Sequence, residues 1–244
     1  MIGGFSAIAK RELKCYFSTP LAYVILFVFL VFASFLSFKG QFFEIRQADL
    51  RIFFDYLPIL FIFLVPAIGM RLWAEERKTG TIELLFSLPV TVRGAVLGKF
   101  AAAWLFIGLA LVFTFPLIVT VNYLGDPDNY VIAAGYAGAF LLAGCYLAVS
   151  IFASSLTRNQ VIGFIVSVLL CSIFAFADYP SILNVLSTFL PLRAVEIVQN
   201  MSFIEHFESM RRGVIEFSDL AYDFILIAGW LAATTVVLDG RREA

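Results

Sequence analysis

The sequence predicts an all-α integral membrane protein with six transmembrane helices, an interfacial helix at the N-terminus and short outer helices before the last span. Three observations lead there. Of the 244 residues, 61% are hydrophobic, 16% aromatic and only 14% charged, whereas soluble chains are roughly a quarter charged; the mean hydropathy is +0.95. Uncharged apolar runs recur at lengths that cross a bilayer, where every backbone polar group must be bonded internally and a helix meets that demand. Between these runs the charged residues gather in short segments whose apolar side chains step by three and four, which is helical spacing. The length accommodates six spans and little else, so residues 1–244 read as one domain.

Residues 1–19 come first. Ile2, Phe5, Ala9, Leu13 and Tyr16 line one face of a helix, while Lys10, Arg11 and Lys14 face elsewhere. A basic polar side followed by a span reads as a helix lying in the inner membrane interface; a plain basic leader that sets topology is the other reading. The first span, residues 21–38, is uncharged throughout and covers about 27 Å of helix. The second, 52–70, holds Pro58 and Pro66, with Asp55 at its edge. The third, 100–125, is long enough that it must tilt or protrude. A turn follows at Asp126, Pro127 and Asp128.

The fourth span, 130–157, repeats small residues four apart: Gly135, Ala139 and Ala143, then Gly144 and Ala148. Such rows let helices approach closely in lipid, and they read first as packing within the chain and second as a dimer seam. The fifth span is 160–177. The sixth is 220–238, with Asp223 near its outer end. Ionisable residues therefore sit only at span edges, which argues against a channel or carrier that works without an energy source, since those place such groups within spans.

Orientation follows from Lys and Arg. With the N-terminus inside, inner segments hold eleven of the 17 (Lys10, Arg11, Lys14, Arg71, Arg77, Lys78, Arg93, Lys99, Arg158, Arg241, Arg242) and outer segments hold six. Both termini are thus expected in the cytoplasm. No cleavable signal is expected, since the first apolar run is too long and lacks a small-residue cleavage site. A net charge of −1 without a basic tail gives no reason to expect nucleic acid as a partner. Cys15, Cys145 and Cys171 show no metal spacing, and the single His206 makes no metal site alone. No catalytic residue, metal or cofactor is expected in this chain, because an intramembrane enzyme needs converging polar groups at membrane depth.

Two segments outside the spans carry the functional expectation. The inner one, 71–99, is a charged island. Gly80 is suited to cap a short helix from Thr81 to Leu88, with Glu83 at its third position and Pro89 as its stop. Ile82, Leu85 and Phe86 then share a face beside carboxylates. The residues alone leave two readings open: a plug for a groove in a partner, or a loop whose charges hold topology. Gly94-Ala-Val-Leu-Gly98-Lys99-Phe100 imitates a phosphate-binding loop but has three residues between its glycines and Phe after its Lys, so no nucleotide binding follows; Gly98 more simply eases helix packing. The outer segment, 178–219, steps apolar residues by three (Leu192, Val195, Val198, Met201) and continues through His206, Phe207, Glu208, Arg211 and Gly213. It reads as short helices dipping into the outer leaflet, which either close the outer mouth of a pathway or form a lid that only completes the fold.

These segments resemble the permease subunit of type-2 (ABC-2) ATP-binding-cassette transporters, most of all the branch of gliding-motility-associated and nitrous-oxide-reductase-maturation permeases. The resemblance rests on residues 71–89, on 94–100 leading into the third span, and on 206–220 before the last. It implies that the island is a cytoplasmic coupling helix seated in a cleft of a separate ATPase subunit, that the outer helices are re-entrant, and that the chain lies in a bacterial inner membrane. Glu75, Glu76, Arg77, Thr81, Ile82, Glu83, Leu84 and Leu85 would form or brace the contact. ATP and Mg would bind the partner. Two permease copies, or this chain and a related subunit, would pair about a two-fold axis, and a periplasmic accessory protein would take up substrate or force. A membrane anchor or assembly factor that transmits motion without carrying a substrate is compatible with the same island.

Overall fold

In a computed structural model the described residues, 2–39, 49–83, 90–189 and 191–242, form helices and no strand. Their order is α1 (Ile2–Ser18), α2 (Pro20–Lys39), α3 (Arg51–Gly69), α4 (Arg71–Thr79), α5 (Val92–Val112), α6 (Phe115–Leu124), α7 (Asn129–Leu156), α8 (Gln160–Ala175), α9 (Pro180–Phe189), α10 (Leu192–Gln199), α11 (Phe203–Arg211) and α12 (Phe217–Arg242). Among the described residues five stretches are long and apolar enough to cross a membrane: Pro20–Lys39, Arg51–Thr79, Val92–Leu124, Asn129–Leu156 and Phe217–Gly240. A sixth exists only if α8 and α9 count together, and those two are bent by 82°.

The core forms around α7, which touches α3, α4, α5, α8, α11 and α12. Its small-residue row turns inward: Ala139, Ala143 and Ala148 are fully buried within the chain. At Gly138 an added Cβ would fall 2.7 Å from Met210 Cβ, so the missing side chain is what lets α11 lie against α7. Asp128 caps α7 by accepting from the Tyr130 N–H at 2.9 Å.

The span expected at 100–125 is longer and interrupted. Thr91 caps α5 by accepting from the Gly94 N–H at 3.1 Å, so helix begins at Val92 and passes through Lys99. Residue 99 was taken from sequence as a polar boundary, but its charge is buried in ion pairs and the helix continues. The break falls between α5 and α6, where Pro116 removes a backbone donor. There the Thr114 hydroxyl bonds the Leu111 carbonyl at 2.6 Å and shares a bond with the Tyr136 hydroxyl at 2.6 Å.

At the N-terminus, α1 lies along α5. An added Cβ at Gly98 would meet Ile8 at 3.1 Å, and the Tyr16 ring stacks on Phe106 with centroids 5.0 Å apart. The buried line is Ile8 and Tyr16, with Glu12 between them. Sequence periodicity placed Phe5 on that face, but it is exposed; Lys10, Arg11 and Lys14 do face outward.

Candidate functional site

The polar segment after α3 begins where a hydroxyl from another helix interrupts the hydrogen-bond ladder. Ser154 of α7, fully buried, accepts from the backbone N–H groups of Trp73 (3.2 Å) and Ala74 (3.1 Å) and donates to the Met70 carbonyl (2.7 Å). A hydroxyl inserted into the ladder takes the place of the helix's own bonds at this level, so α3 ends and α4 begins here within one stretch from Arg51 to Thr79. Leu72, Trp73 and Ala74 are buried, and Arg77 donates to the Ser155 carbonyl at 2.7 Å. The first turn of α4 and its Arg77 are thereby fastened to the last turn of α7. Ser154→Ala strands buried backbone groups and is expected to cost about 1–3 kcal/mol. Thermal unfolding in detergent measures it, with Ser155→Ala, whose hydroxyl bonds only the Phe152 carbonyl of its own helix, as the milder control.

Below that clamp four charges from three helices converge. Lys99 of α5, 2% exposed, lies 3.0 Å from Glu12 of α1 and 2.8 Å from Glu76 of α4. Arg11 reaches the same two carboxylates from the water side, at 3.0 and 3.3 Å. The Lys99 ammonium also sits 5.2 Å from the centre of the Trp73 ring, close enough for a cation–π attraction. Burial drives the Glu12 carboxyl upward, but the Lys99 ammonium and the Arg11 guanidinium outweigh it, and the group titrates below its ordinary value. Tyr16, packed beside it, is pushed up by burial and then by the Glu12 charge. Two cations balance two anions, and the arrangement joins α1, α4 and α5 at one point.

The expected site residues fall into two groups. Glu76 faces inward in the charge cluster and Arg77 holds α7, so both brace α4 from within, while Glu75, half-exposed, pairs with Arg71 at 3.2 Å. Gly80 has φ 75°, a left-handed conformation that ends α4 and favours glycine. Its carbonyl accepts from the Glu83 N–H at 3.4 Å, which starts a further helical turn. The glycine therefore works as a stop as well as the start read from sequence. Thr81 and Glu83 are exposed and Ile82 is half-buried against the core. Leu84 and Leu85, with the rest of the expected helix to Leu88 and Pro89, lie outside the described residues. Sequence reasoning missed Glu12, Trp73, Lys99 and Ser154; the available signal was a lysine inside an apolar helix, together with a glutamate four residues from both Ile8 and Tyr16.

A second polar group lies farther along α7. His206 bonds Asp219 of α12 through Nδ1 at 2.8 Å and the Asn200 carbonyl through Nε2 at 3.1 Å, and its ring stacks on Tyr222 at 3.9 Å. Phe207 is buried against α7, and Arg211 pairs with Glu208 and with Asp55 of α3. Gly213, at φ 86°, closes α11 with bonds from its own N–H to Met210 and from the Val214 N–H to Ser209, both 3.0 Å; this is the two-bond glycine stop of helix ends. These contacts tie α11 to α3, α7 and α12. Asp223 requires a correction. Sequence placed it at an edge, but it is 5% exposed and lies 3.3 Å from Cys145 Sγ, halfway along α7. The start of α12 is overlaid by α11, which carries the residue inward.

Among the described residues no group of three or more His, Cys, Asp or Glu is placed to hold a metal ion. The family model described as "ABC-2 family transporter protein" matches residues 7–238 of the chain. No curated protein matches it.

Proposed function

The chain belongs to the ABC-2 family of transporter proteins, and from that premise we propose that it is the permease subunit which turns ATP hydrolysis by a separate ATPase into movement of membrane helices. The observation that carries this reading is α4. It prolongs a span, is clamped by Ser154 and Ser155 of α7, is locked through Glu76 to Lys99 and Glu12, and still exposes Lys78, Thr79, Thr81 and Glu83 at its far end. A lever needs a rigid shaft, a fixed joint and a free tip, and α4 supplies all three. The tip is the docking point for the ATPase, which binds ATP and Mg; the permease itself performs no chemistry.

The distribution of Lys and Arg supports placing this tip and both termini in the cytoplasm, with the chain in a bacterial inner membrane and α1 at the inner interface. Symmetric pairing is the default for such assemblies, so two copies share two ATPases. The segments 71–89 and 206–220 support a place in the gliding-motility-associated and nitrous-oxide-reductase-maturation branch, with delivery of substrate or force to a periplasmic partner.

The test is Glu83→Arg, an exposed substitution at the tip. The variant is expected to insert and melt as wild type does, while its association with its partner ATPase weakens about tenfold, the size of one charge-assisted contact. Equal association, or ATP hydrolysis unchanged by the wild-type permease, contradicts the reading. One observation favours a second reading: Asp223, buried well along α7, is the kind of group a carrier without nucleotide uses. Substrate flux in liposomes lacking the ATPase would establish that reading.

A further inference from the structure

Between α1, α4 and α5 lies a cavity of about 350 Å³ whose charged lining is balanced: Arg11, Arg71 and Lys99 against Glu12, Glu75 and Glu76. Two of its lining residues hold buried polar atoms with no partner, the Tyr16 hydroxyl and Glu76 Oε2. One is a donor and acceptor without a bond; the other is a carboxylate oxygen that receives none. Buried polar groups are satisfied in nearly all native structures, and a ligand that donates to one and bonds the other would satisfy both.

The position narrows the class. Thr19, where α1 gives way to α2, and Arg71, where α3 gives way to α4, both line the cavity, so it opens where two spans begin and end. That is the depth of lipid headgroups. Directly beyond Thr19, α2 exposes Leu21, Val24 and Phe27, and only 22% of that span is buried within the chain. A ligand with a polar end in the cavity would lay an apolar tail along this face.

We propose that the cavity binds the headgroup of a phospholipid that carries both a phosphate and a primary ammonium, of the phosphatidylethanolamine class. The ammonium supplies the donor that Glu76 Oε2 lacks, and the phosphate meets Arg71 and Arg11. A choline headgroup has the same charge but no N–H to give, and a glycerol headgroup lacks the cation. The proposal rests on the chain spanning a membrane and not on its partnership with an ATPase, so the association test above and the test below fail independently.

Cys15 lines the cavity and is exposed, whereas Cys145 and Cys171 are buried. The full-length protein is purified in detergent and Cys15 is labelled with a maleimide while lipids are titrated in. Phosphatidylethanolamine is expected to slow labelling, with half-protection at about tenfold lower concentration than phosphatidylcholine or phosphatidylglycerol of the same chains, the margin of one charge-assisted hydrogen bond. Native mass spectrometry of the same samples should show one retained phosphatidylethanolamine per chain, lost in Arg71→Gln combined with Glu75→Gln, two partly exposed residues whose removal as a pair leaves the charge balance intact. Equal protection by the three lipids, or retention undiminished in the double variant, overturns the proposal. Full protection by water-soluble phosphoethanolamine at the same concentration also overturns it, in favour of a site for a free metabolite.

Discussion

Lys99→Met is expected to destabilise the protein by roughly 3–5 kcal/mol, the usual result of removing one partner from a buried ion pair. The shape of the side chain is nearly kept, so the loss reports charge. Glu12 and Glu76, each 14% exposed, would then lack the ammonium that both contact within 3.0 Å, with only the outlying Arg11 to balance them. The variant carrying Glu12→Gln and Glu76→Gln as well should recover most of the stability, because it removes the stranded charges. The pH dependence gives an independent check. In the wild type Glu12 titrates below its ordinary value of 4.5, so its contribution is complete above that value and is lost as pH falls through the lowered one. In Lys99→Met the sign reverses for Glu12: without the ammonium burial drives its carboxyl upward, and its contribution grows as pH falls and it becomes neutral. Melting profiles from pH 4 to 8 distinguish the two.

A second large effect is expected at Gly69, the last residue of α3. An added Cβ there would fall 2.5 Å from Ser150 Cβ and 3.4 Å from the Ser150 carbonyl carbon. The obstruction is Ser150 Cβ, which is bonded directly to the backbone of α7 and cannot rotate away as the end of a flexible side chain can. Gly69→Ala should cost about 1–3 kcal/mol and Gly69→Val more, as overpacking does when a main chain must shift. The functional loss should exceed the loss of fold. Separating α3 from α7 at this level moves Met70, Trp73 and Ala74 away from the Ser154 hydroxyl that holds α4. In membranes where Gly69→Ala still inserts normally, its effect on partner ATP hydrolysis should fall further than its stability.

The spans were legible because bilayer crossing depends on local composition alone, and a run such as Leu21–Phe38 announces itself. The helices α2, α3, α7 and α8 begin and end within about two residues of the runs read from sequence, though α8 alone is not long enough to count as a crossing helix. What escaped was non-local. The charges that begin at Arg71 mark the end of the second span at residue 70, but nothing nearby discloses the cause of the break, a hydroxyl from Ser154, 84 residues later. Lys99 looked like a boundary because its two carboxylate partners come from helices remote in sequence. Asp223 looked peripheral because the hydropathy of α12 does not disclose that α11 lies over its first turns. The inward face of α1 was misplaced in part because Glu12, a charge, occupies the centre of the buried line and periodicity counts only apolar residues. The residues with the best-defined contacts were therefore those whose type argued against burial.

The uneven enclosure of the spans sets which of them can move. Within the chain α7 is 78% buried along its most apolar stretch, against 22% for α2 and for α12. Shifting α7 would tear several packed seams at once, whereas α2, whose main seam is with α3, leaves most of its surface free. The last helix, α12, exposes as much surface but is held to α7 along its length and through Asp223, and to the outer segment before it through Asp219 and Tyr222. The molecule is thus divided into a block built on α7, to which α12 belongs, and one loosely enclosed flank, α2. On the function proposed above, an impulse arriving through α4 would enter that block first, and the membrane would register its tilt relative to α2.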